Sequence, residues 1–172
     1  MLILYHANHS TCSQKVRLAL AEKGLGYESR IINLATNEHL TPDYLALNPN
    51  GVVPTLVDDG QVVRDSGVIC EYLDEVFPDP QLMPADAVAR AEVRAWVRYL
   101  DEVPTAAVRV PSFNMAFLPR YDGMDDDAFQ REQADIRPLR KHFYEKMGRS
   151  GFDDRAVDDA LEQLASTMNR MD

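Results

Sequence analysis

The chain has 172 residues, of which 45% are hydrophobic and 27% are charged, and its formal net charge is −10. This length allows one large domain or two small ones, with enough apolar residues for a sizeable core. The acidic balance argues against nucleic acid as a main partner, because a phosphate backbone is bound by a basic surface. No apolar run approaches the roughly 20 residues of a membrane span, so we expect no membrane partner.

The N-terminus lacks the basic stretch and the long apolar stretch of a signal peptide. The only cysteines, Cys12 and Cys70, are too few for a disulfide framework. We therefore expect a reducing, cytoplasmic location. The three consecutive aspartates at 125–127 are typical of a solvated helix start, and we expect no metal site.

The first third of the chain begins with a strand, a helix and a second strand. The all-apolar or aromatic run at 2–5 predicts a buried strand, and the pattern at 14–23 predicts a helix that ends before Gly24. A second strand is predicted at 27–34. Because a helical crossover joins the two strands, we expect them to be parallel, as in a βαβ unit.

Two further strands and a helix follow a polar loop. A strand-like run at 52–57 contains Pro54, which removes a ladder hydrogen bond, and a cis Val53–Pro54 bond is one reason for such a proline. An Asp-Gly turn joins it to a strand at 61–64, and a helix then begins at Asp65. The pattern predicts an α/β domain of thioredoxin-like type with a four-stranded mixed sheet.

The rest of the chain is predicted to be all-α. We expect a first domain at 1–79, a proline-rich linker at 80–87, and a helical domain at 88–172. Helical spacing predicts helices at 88–102, at 104–121 with proline breaks, at 125–146 with a kink or boundary at Pro138, and from 153 onward.

Three ordered motifs resemble those of the cytosolic glutathione transferases. Ser10-Thr11-Cys12 at the start of the first helix is similar to the active turn of the zeta class. Asn48-Pro49 followed by Val53-Pro54-Thr55-Leu56 resembles the family's cis-proline segment. Asp65-Ser66 resembles the pair that binds the γ-glutamyl end of glutathione. The order and spacing of the three motifs make the resemblance specific.

The resemblance implies that glutathione is the co-substrate. It assigns glutathione binding to Ser10, Thr11, His39, Val53, Pro54, Asp65 and Ser66. The backbone of Val53 would pair with the cysteinyl residue as one more strand, and Asp65 would hold the ammonium group. Ser66 would hold the γ-glutamyl carboxylate, and His39 the glycyl carboxylate.

Two residues, Ser10 and Cys12, are candidates for the catalytic role. Ser10 resembles the catalytic serine of zeta- and theta-like enzymes, whose hydroxyl would donate a hydrogen bond to the thiolate and lower the pKa of the thiol. Cys12 resembles the cysteine of beta-class bacterial enzymes, which form mixed disulfides. Each also has a plain structural interpretation: Ser10 as a helix N-cap and Cys12 as a small packed side chain.

Candidate residues for a second substrate lie in the helical domain. Arg90, Arg94 and Arg98 form a basic stripe at helical spacing, and the corresponding family helix lines the active cleft, which makes Arg98 a candidate. Phe113, Phe117 and Tyr121 form an apolar cluster. This cluster is either part of the core or the pocket for an electrophile.

The resemblance implies a bacterial-type transferase, a homodimer, that activates the glutathione thiol for attack on an apolar electrophile. Alternative reactions on the same fold are β-ether cleavage, dehalogenation and isomerisation. A non-catalytic binding module and a Cys12-based thiol–disulfide oxidoreductase are the alternatives of other classes. Family members normally continue beyond the equivalent of Asp172, so we expect the helical domain to be incomplete.

Overall fold

The computed structural model describes residues 1–172, which form two compact units, Met1–Val97 and Arg98–Asp172. The first unit is built on a sheet of four strands, β1 (Leu2–His6), β2 (Glu28–Ile31), β3 (Thr55–Asp58) and β4 (Gln61–Arg64). Their spatial order is β2-β1-β3-β4. β1 and β2 are parallel, and β3 is antiparallel to both β1 and β4. The predicted four-stranded mixed sheet is confirmed.

Four helices belong wholly or mostly to the first unit: α1 (Thr11–Glu22), α2 (Pro42–Leu47), α3 (Ser66–Val76) and α4 (Ala87–Glu102). Two short 3-10 helices, Leu34–Thr36 and Glu38–Leu40, precede α2. The buried core joins the sheet to α1 and α3 through Leu4, Val16, Leu20, Leu56, Ile69 and Leu73. The i, i+4 spacing within each helix places its apolar pair on one face.

Two predicted boundaries in this unit are wrong for local reasons. α1 begins at Thr11 rather than at 14, because the Ser10 side chain caps it. The strand predicted at 52–57 begins only at Thr55, after a cis Val53–Pro54 bond. The Asp-Gly hairpin is confirmed, with Asp59 and Gly60 at φ values of 44° and 86°.

The second unit is all-α but consists mostly of short segments. They are α5 (Pro104–Ala107), α6 (Arg109–Ser112), α7 (Asp126–Phe129), α8 (Lys141–Met147) and α9 (Asp154–Met171), with π-helical turns at Phe113–Phe117 and Gln130–Ala134 and a 3-10 helix at Leu118–Tyr121. The long helix expected at 125–146 is divided into shorter segments, and the boundary predicted at Pro138 is confirmed. Pro138 lacks an N–H group and disfavours helical geometry at the residue before it, so α8 starts only after it.

Aromatic side chains dominate the core of the second unit. Its buried members are Tyr121, Phe129, Ala134, Tyr144, Met147 and Phe152. The ring of Tyr121 packs edge-to-face on Phe129 with centroids 5.1 Å apart. No helix in either unit has the length and apolar character that crossing a bilayer requires.

The start of the proline-rich connector is tied to the first unit. The ammonium group of Lys23, at the end of α1, donates hydrogen bonds to the carbonyls of Phe77 at 2.7 Å and Pro80 at 2.8 Å. The same group lies 2.6 Å from Asp74 Oδ1. The two units divide within α4, after Val97, whereas the sequence suggested a division at 80–87.

Candidate functional site

The segments that carry the predicted glutathione residues meet the sheet at one end. Tyr5, near the end of β1, pairs with Thr55 at the start of β3, and Thr55 pairs with Arg64 at the end of β4. β2 runs parallel to β1 and also ends there. The turn with Ser10, Thr11 and Cys12, the loop with His39, the Val53–Pro54 segment and the Asp65–Ser66 pair therefore follow or precede strands at this end.

Ser10 is the N-cap of α1. Its Oγ accepts a hydrogen bond from the Ser13 N–H at 3.2 Å, and its own N–H donates to the Ala7 carbonyl at 3.2 Å. Ser13 is fully buried, and its Oγ accepts a hydrogen bond from the Ala7 N–H at 3.3 Å. Since the Ser10 oxygen acts as an acceptor inside the turn, its hydroxyl proton is the part that can serve a ligand.

Thr11 and Cys12 are the first two residues of α1. The N–H groups of a first helical turn have no partner within the helix, and the positive end of the helix dipole lies there. Thr11 is exposed and Cys12 is a half-buried free thiol. This turn therefore combines a hydroxyl donor, backbone donors and a positive field, all of which favour an anion.

Arg17 and Gln14 fasten the loop that precedes Ser10, and the sequence did not reveal this role. Arg17 donates to the Asn8 side-chain oxygen at 3.3 Å and to the Asn8 carbonyl at 3.5 Å. Gln14 Nε2 also donates to that carbonyl, at 3.4 Å. These contacts leave no periodic pattern in the sequence, because they depend on how the loop folds against α1.

His6, the last residue of β1, is buried beside the turn. Its Nε2 lies 2.7 Å from the Ser29 hydroxyl on β2. Burial, and to a smaller extent the charge of Arg17, lowers the pKa of His6 below that of a free imidazole. At neutral pH His6 is therefore uncharged, and its role in the turn is packing and hydrogen bonding.

Val53 and Pro54 lie between α2 and β3, joined by a cis peptide bond. The interpretation of Pro54 as a cis-proline is thus confirmed. Pro54 is buried and Val53 is half-buried. Because Val53 precedes β3 and belongs to no strand, its backbone is outside the ladder of the sheet.

Asp65 is the N-cap of α3 and has a positive φ of 72°. Its Oδ1 accepts from the N–H groups of Gly67 at 2.9 Å and Val68 at 3.1 Å. The cap does not need Oδ2, so that oxygen can serve an ammonium group. Ser66, the first residue of the helix, is buried at 4% exposure. A non-glycine residue at such a φ is uncommon and is often found at functional sites.

His39 lies in the second 3-10 helix, Glu38–Leu40, in the loop between β2 and α2. Its side chain is buried at 8% exposure. The position in the loop matches the sequence interpretation, whereas the burial was not foreseen. A carboxylate partner at His39 stays a prediction.

The four residues predicted for a second substrate belong to the second unit. Arg98 is an exposed residue of α4. Phe113 and Phe117 lie in a π-helical turn with ring centroids 4.7 Å apart, and the guanidinium of Arg120 lies 4.5 Å from the Phe117 ring. Tyr121 is 8% exposed and part of the aromatic core. Of the two interpretations of this cluster, burial favours the core for Tyr121.

The site in the first unit places three kinds of binding group along the end of the sheet. These are a helix start at Ser10 that favours an anion, a carboxylate at Asp65, and the backbone of Val53. Val53 comes between the other two in strand order, because it precedes β3, whereas Ser10 follows β1 and Asp65 follows β4. Thiolate, ammonium and peptide groups are what γ-glutamyl-cysteinyl-glycine presents. The structure groups no three His, Cys, Asp or Glu side chains as metal ligands.

Known proteins resemble this chain in sequence and fold. The N-terminal domain model of the glutathione S-transferases matches residues 9–76. Protein LigF of Sphingobium sp. strain SYK-6 is 30% identical over 174 residues, a match that covers 99% of this chain and 68% of LigF. This chain belongs to the glutathione S-transferase family. The crystal structure of the beta-etherase LigF superposes with a TM-score of 0.86 at 31% identity and covers 98% of this chain and 71% of that chain.

Two other members of the glutathione S-transferase family bear on the site. Maleylacetoacetate isomerase of Pseudomonas aeruginosa is 49% identical over 94 residues, which is 53% of this chain and 44% of the isomerase. A glutathione transferase homologue from Sulfitobacter, crystallised with bound glutathione, superposes with a TM-score of 0.61 at 26% identity, covering 98% of this chain and 83% of the other. Glutathione is the co-substrate of this family.

Proposed function

We propose that this chain binds glutathione at the sheet end described above and that the Ser10 hydroxyl activates the thiol. The observation that carries the proposal is the position of Ser10. Its oxygen accepts from the Ser13 N–H, so its proton can be donated to a second partner. A thiolate at the start of α1 would accept that proton as a hydrogen bond and would face the first N–H groups of the helix.

The stabilisation of the glutathione thiolate that this role requires of Ser10 is modest. A free thiol has a pKa of about 8.5, so a decrease of about two units makes the thiolate the main form at pH 7. Each pKa unit corresponds to about 1.4 kcal/mol. A hydrogen bond to a charged group contributes about 1.5–3 kcal/mol, so the Ser10 hydroxyl can supply most of this stabilisation. Deprotonation of Ser10 is not needed.

The reaction that the comparisons favour is cleavage of an aryl ether. The beta-etherase LigF matches 98% of this chain, whereas the isomerase matches 53%. In such a step the thiolate forms a C–S bond, the C–O bond breaks, and the leaving aryl oxide takes up a proton. Isomerisation and dehalogenation are the alternatives on the same site.

The electrophile is proposed to contact the second unit. Arg98, Phe113 and Phe117 are the candidate residues, because Arg98 is exposed and the two phenylalanine rings are half-buried. Tyr121 is a weaker candidate on account of its burial. An apolar, aromatic electrophile suits such side chains.

Cys12 gives a second candidate function. It is a half-buried free thiol in the first turn of α1. Attack of the Cys12 sulfur on oxidised glutathione would form a mixed disulfide and release one glutathione thiol, which is the first step of thiol–disulfide exchange. A binding module without catalysis is the remaining alternative, and it would bind glutathione without turnover.

The deciding experiment measures glutathione affinity and turnover of chlorodinitrobenzene and a model β-aryl ether for the wild type, Ser10→Ala and Cys12→Ala. We expect Ser10→Ala to lose about 10²-fold in kcat, the usual effect of removing one donor to a developing anion. Cys12→Ala should keep full activity, as should the control Cys70→Ala.

The other outcomes discriminate among the alternatives. Loss of activity in Cys12→Ala alone would support the thiol–disulfide route. Glutathione affinity without turnover of any electrophile would support the binding module. Turnover of the aryl ether and not of a haloalkane or maleyl compound would support ether cleavage.

We also propose that the protein forms a homodimer in a reducing cytoplasm. None of the 16 residues of α4 is fully buried, and the helix carries the exposed Val88 and the half-buried Val93 and Val97, so its apolar side chains have room for a second copy. Both cysteines are free thiols. Light scattering during size-exclusion chromatography tests the oligomeric state, and a monomeric mass at micromolar concentration would contradict a dimer.

A further inference from the structure

Two buried side chains, Tyr44 and Asn48, hold both flanks of the Val53–Pro54 segment. The Tyr44 hydroxyl donates to the Val52 carbonyl at 2.7 Å, and Asn48 Nδ2 donates to the same carbonyl at 2.9 Å. On the other side, both reach the Thr55 hydroxyl, each at 3.0 Å. The residues before and after the cis-proline pair are therefore fastened to the same two groups.

The hydrogen atoms of this network can be assigned without conflict. The Tyr44 proton points to the Val52 carbonyl, so the Tyr44 oxygen accepts from the Thr55 hydroxyl. The Thr55 oxygen in turn accepts from one hydrogen of Asn48, and the other hydrogen goes to Val52. Every side-chain hydrogen is used once, and the chain of bonds closes on itself.

The network is sealed from water. Tyr44, Asn48 and Thr55 are 4%, 1% and 0% exposed. Burial raises the pKa of Tyr44 to about 12, so the phenol keeps its proton and remains a donor. Asn48 is itself fixed, because its Oδ1 accepts from the Asn50 N–H at 3.2 Å. A buried network with all members satisfied is rigid, since any displacement leaves a polar group unpaired.

The geometry fixes a specific backbone group. The Val52 carbonyl and the Val53 N–H belong to one planar peptide unit and point in opposite directions. With two donors on its carbonyl oxygen, this peptide unit cannot rotate without losing both bonds. The network therefore sets the direction of the Val53 N–H, which faces away from Tyr44 and Asn48.

We propose that Tyr44, Asn48 and Thr55 are positioning residues that orient the Val53 backbone for the cysteinyl residue of glutathione. The inference rests on the proposed function, because it takes Val53 as the backbone partner of the peptide. It extends that function to three residues that do not contact the ligand. A displacement of about 1 Å at such a clamp weakens the productive complex strongly.

The test compares Tyr44→Phe and Thr55→Val with the wild type. Tyr44→Phe removes one hydroxyl and keeps the ring, and Thr55→Val replaces a hydroxyl by a methyl group of similar size. We expect the Kd and KM for glutathione to rise about tenfold in Tyr44→Phe, which corresponds to about 1.4 kcal/mol. The KM for the electrophile, kcat at saturating glutathione, and the pH at which the bound thiol ionises should stay unchanged, because Ser10 is intact.

The matched control is Tyr72→Phe. The Tyr72 hydroxyl donates to Asp58 Oδ2 at 2.9 Å, in the same unit but at the opposite end of β3. It should leave glutathione affinity unchanged. Thr55→Val covers the case in which Tyr44→Phe does not fold, and thermal unfolding monitors all variants.

Each result decides the proposal. A lower melting temperature with unchanged glutathione affinity in both network variants would reduce Tyr44, Asn48 and Thr55 to structural residues and overturn the positioning role, while the proposed function stands. Equal losses of affinity in Tyr72→Phe would overturn it as well. Absence of glutathione binding in the wild type would overturn the proposed function and, with it, this inference.

Discussion

The two units of the chain contain the same kinds of polar interaction in different surroundings. Each has a Lys–Asp ion pair, an asparagine that joins two backbone segments, and aspartates that cap helices. In the first unit the Lys23–Asp74 pair and Asn48 are buried beneath a regular sheet. In the second unit the Lys141–Asp135 pair is exposed, on short helical segments around an aromatic core.

The comparison separates the effect of geometry from the effect of burial. The two ion pairs have nearly equal N–O distances, 2.6 Å for Lys23–Asp74 and 2.8 Å for Lys141–Asp135. Their side chains differ in exposure, at 0% and 6% for the first pair and 45% and 42% for the second. If burial decides the energy, equivalent substitutions must give unequal effects in the two units.

The largest effect is expected from Lys23→Met. It leaves the Asp74 carboxylate buried without its cation and frees the carbonyls of Phe77 and Pro80. Removing one partner of a buried pair costs about 3–5 kcal/mol, so the free energy of unfolding should fall by that amount. Urea unfolding of both proteins measures it. A loss below about 1 kcal/mol, the range of exposed pairs, would contradict the role of burial.

Low pH should weaken the contribution of the Lys23–Asp74 pair to stability. Burial alone would raise the pKa of Asp74, but the hydrogen bonds from Lys23 and from the N–H groups of Leu82 and Met83 outweigh it and lower the pKa below that of a free aspartate. The stability from Asp74 is therefore present above the pKa of the unfolded chain, about 3.9, and is lost as the pH falls through the lower folded value. Stability measured from pH 6 down to pH 3 should fall less steeply in Lys23→Met than in the wild type.

A smaller effect is expected at Asn114, the asparagine clamp of the second unit. Its Nδ2 donates to the Phe152 carbonyl at 2.7 Å, and its Oδ1 accepts from the Phe152 N–H at 2.9 Å. Asn114→Ala removes both bonds and should cost about 2 kcal/mol. Asn114→Asp keeps the acceptor but sets a carboxylate oxygen, which cannot donate, against the Phe152 carbonyl oxygen, so it should cost at least as much. A loss in Asn114→Asp well below that in Asn114→Ala would show that the bond donated to Phe152 contributes little.

Much of the fold was predictable because local signals agreed with each other. Apolar runs, the crossover helix and the Asp-Gly turn predicted the mixed sheet, and the three ordered motifs marked the segments that meet at its end. The start of α3 at Asp65 is confirmed, whereas for α1 the pattern placed the helix start at 14 and the N-cap was only one of two interpretations of Ser10.

What the sequence did not show depends on contacts distant along the chain. Lys23 reads as an exposed residue at a helix end, and only the return of residues 74–80 buries it. Tyr44 and Asn48 read as a short helix and a turn, and their network forms only when β3 closes on them. The π-helical turn at Gln130–Ala134 within the 125–146 pattern also has no signal in the sequence.

Substitution of the aspartates that cap α3 and α9 tests glutathione binding rather than stability. Asp65→Asn keeps an acceptor for the N–H groups of Gly67 and Val68, and asparagine tolerates a positive φ, so the fold should persist. It removes the charge that would hold the ammonium group. Glutathione affinity should fall about tenfold or more, since a hydrogen bond to a charged group contributes about 1.5–3 kcal/mol. Asp153→Asn, the same change at the cap of α9, should leave affinity unchanged, and isothermal calorimetry measures both.

The smallest effect is expected from Lys141→Met, the counterpart of Lys23→Met. The Lys141 ammonium group lies 2.8 Å from Asp135 Oδ1, and this contact raises the pKa of the lysine. Both groups remain in water, however, where removing one ion leaves the other hydrated. Exposed pairs contribute little because water screens them, so urea unfolding should show only a small change, which shrinks further in 1 M salt. A loss comparable to that of Lys23→Met would mean that distance, rather than burial, sets the energy of these pairs.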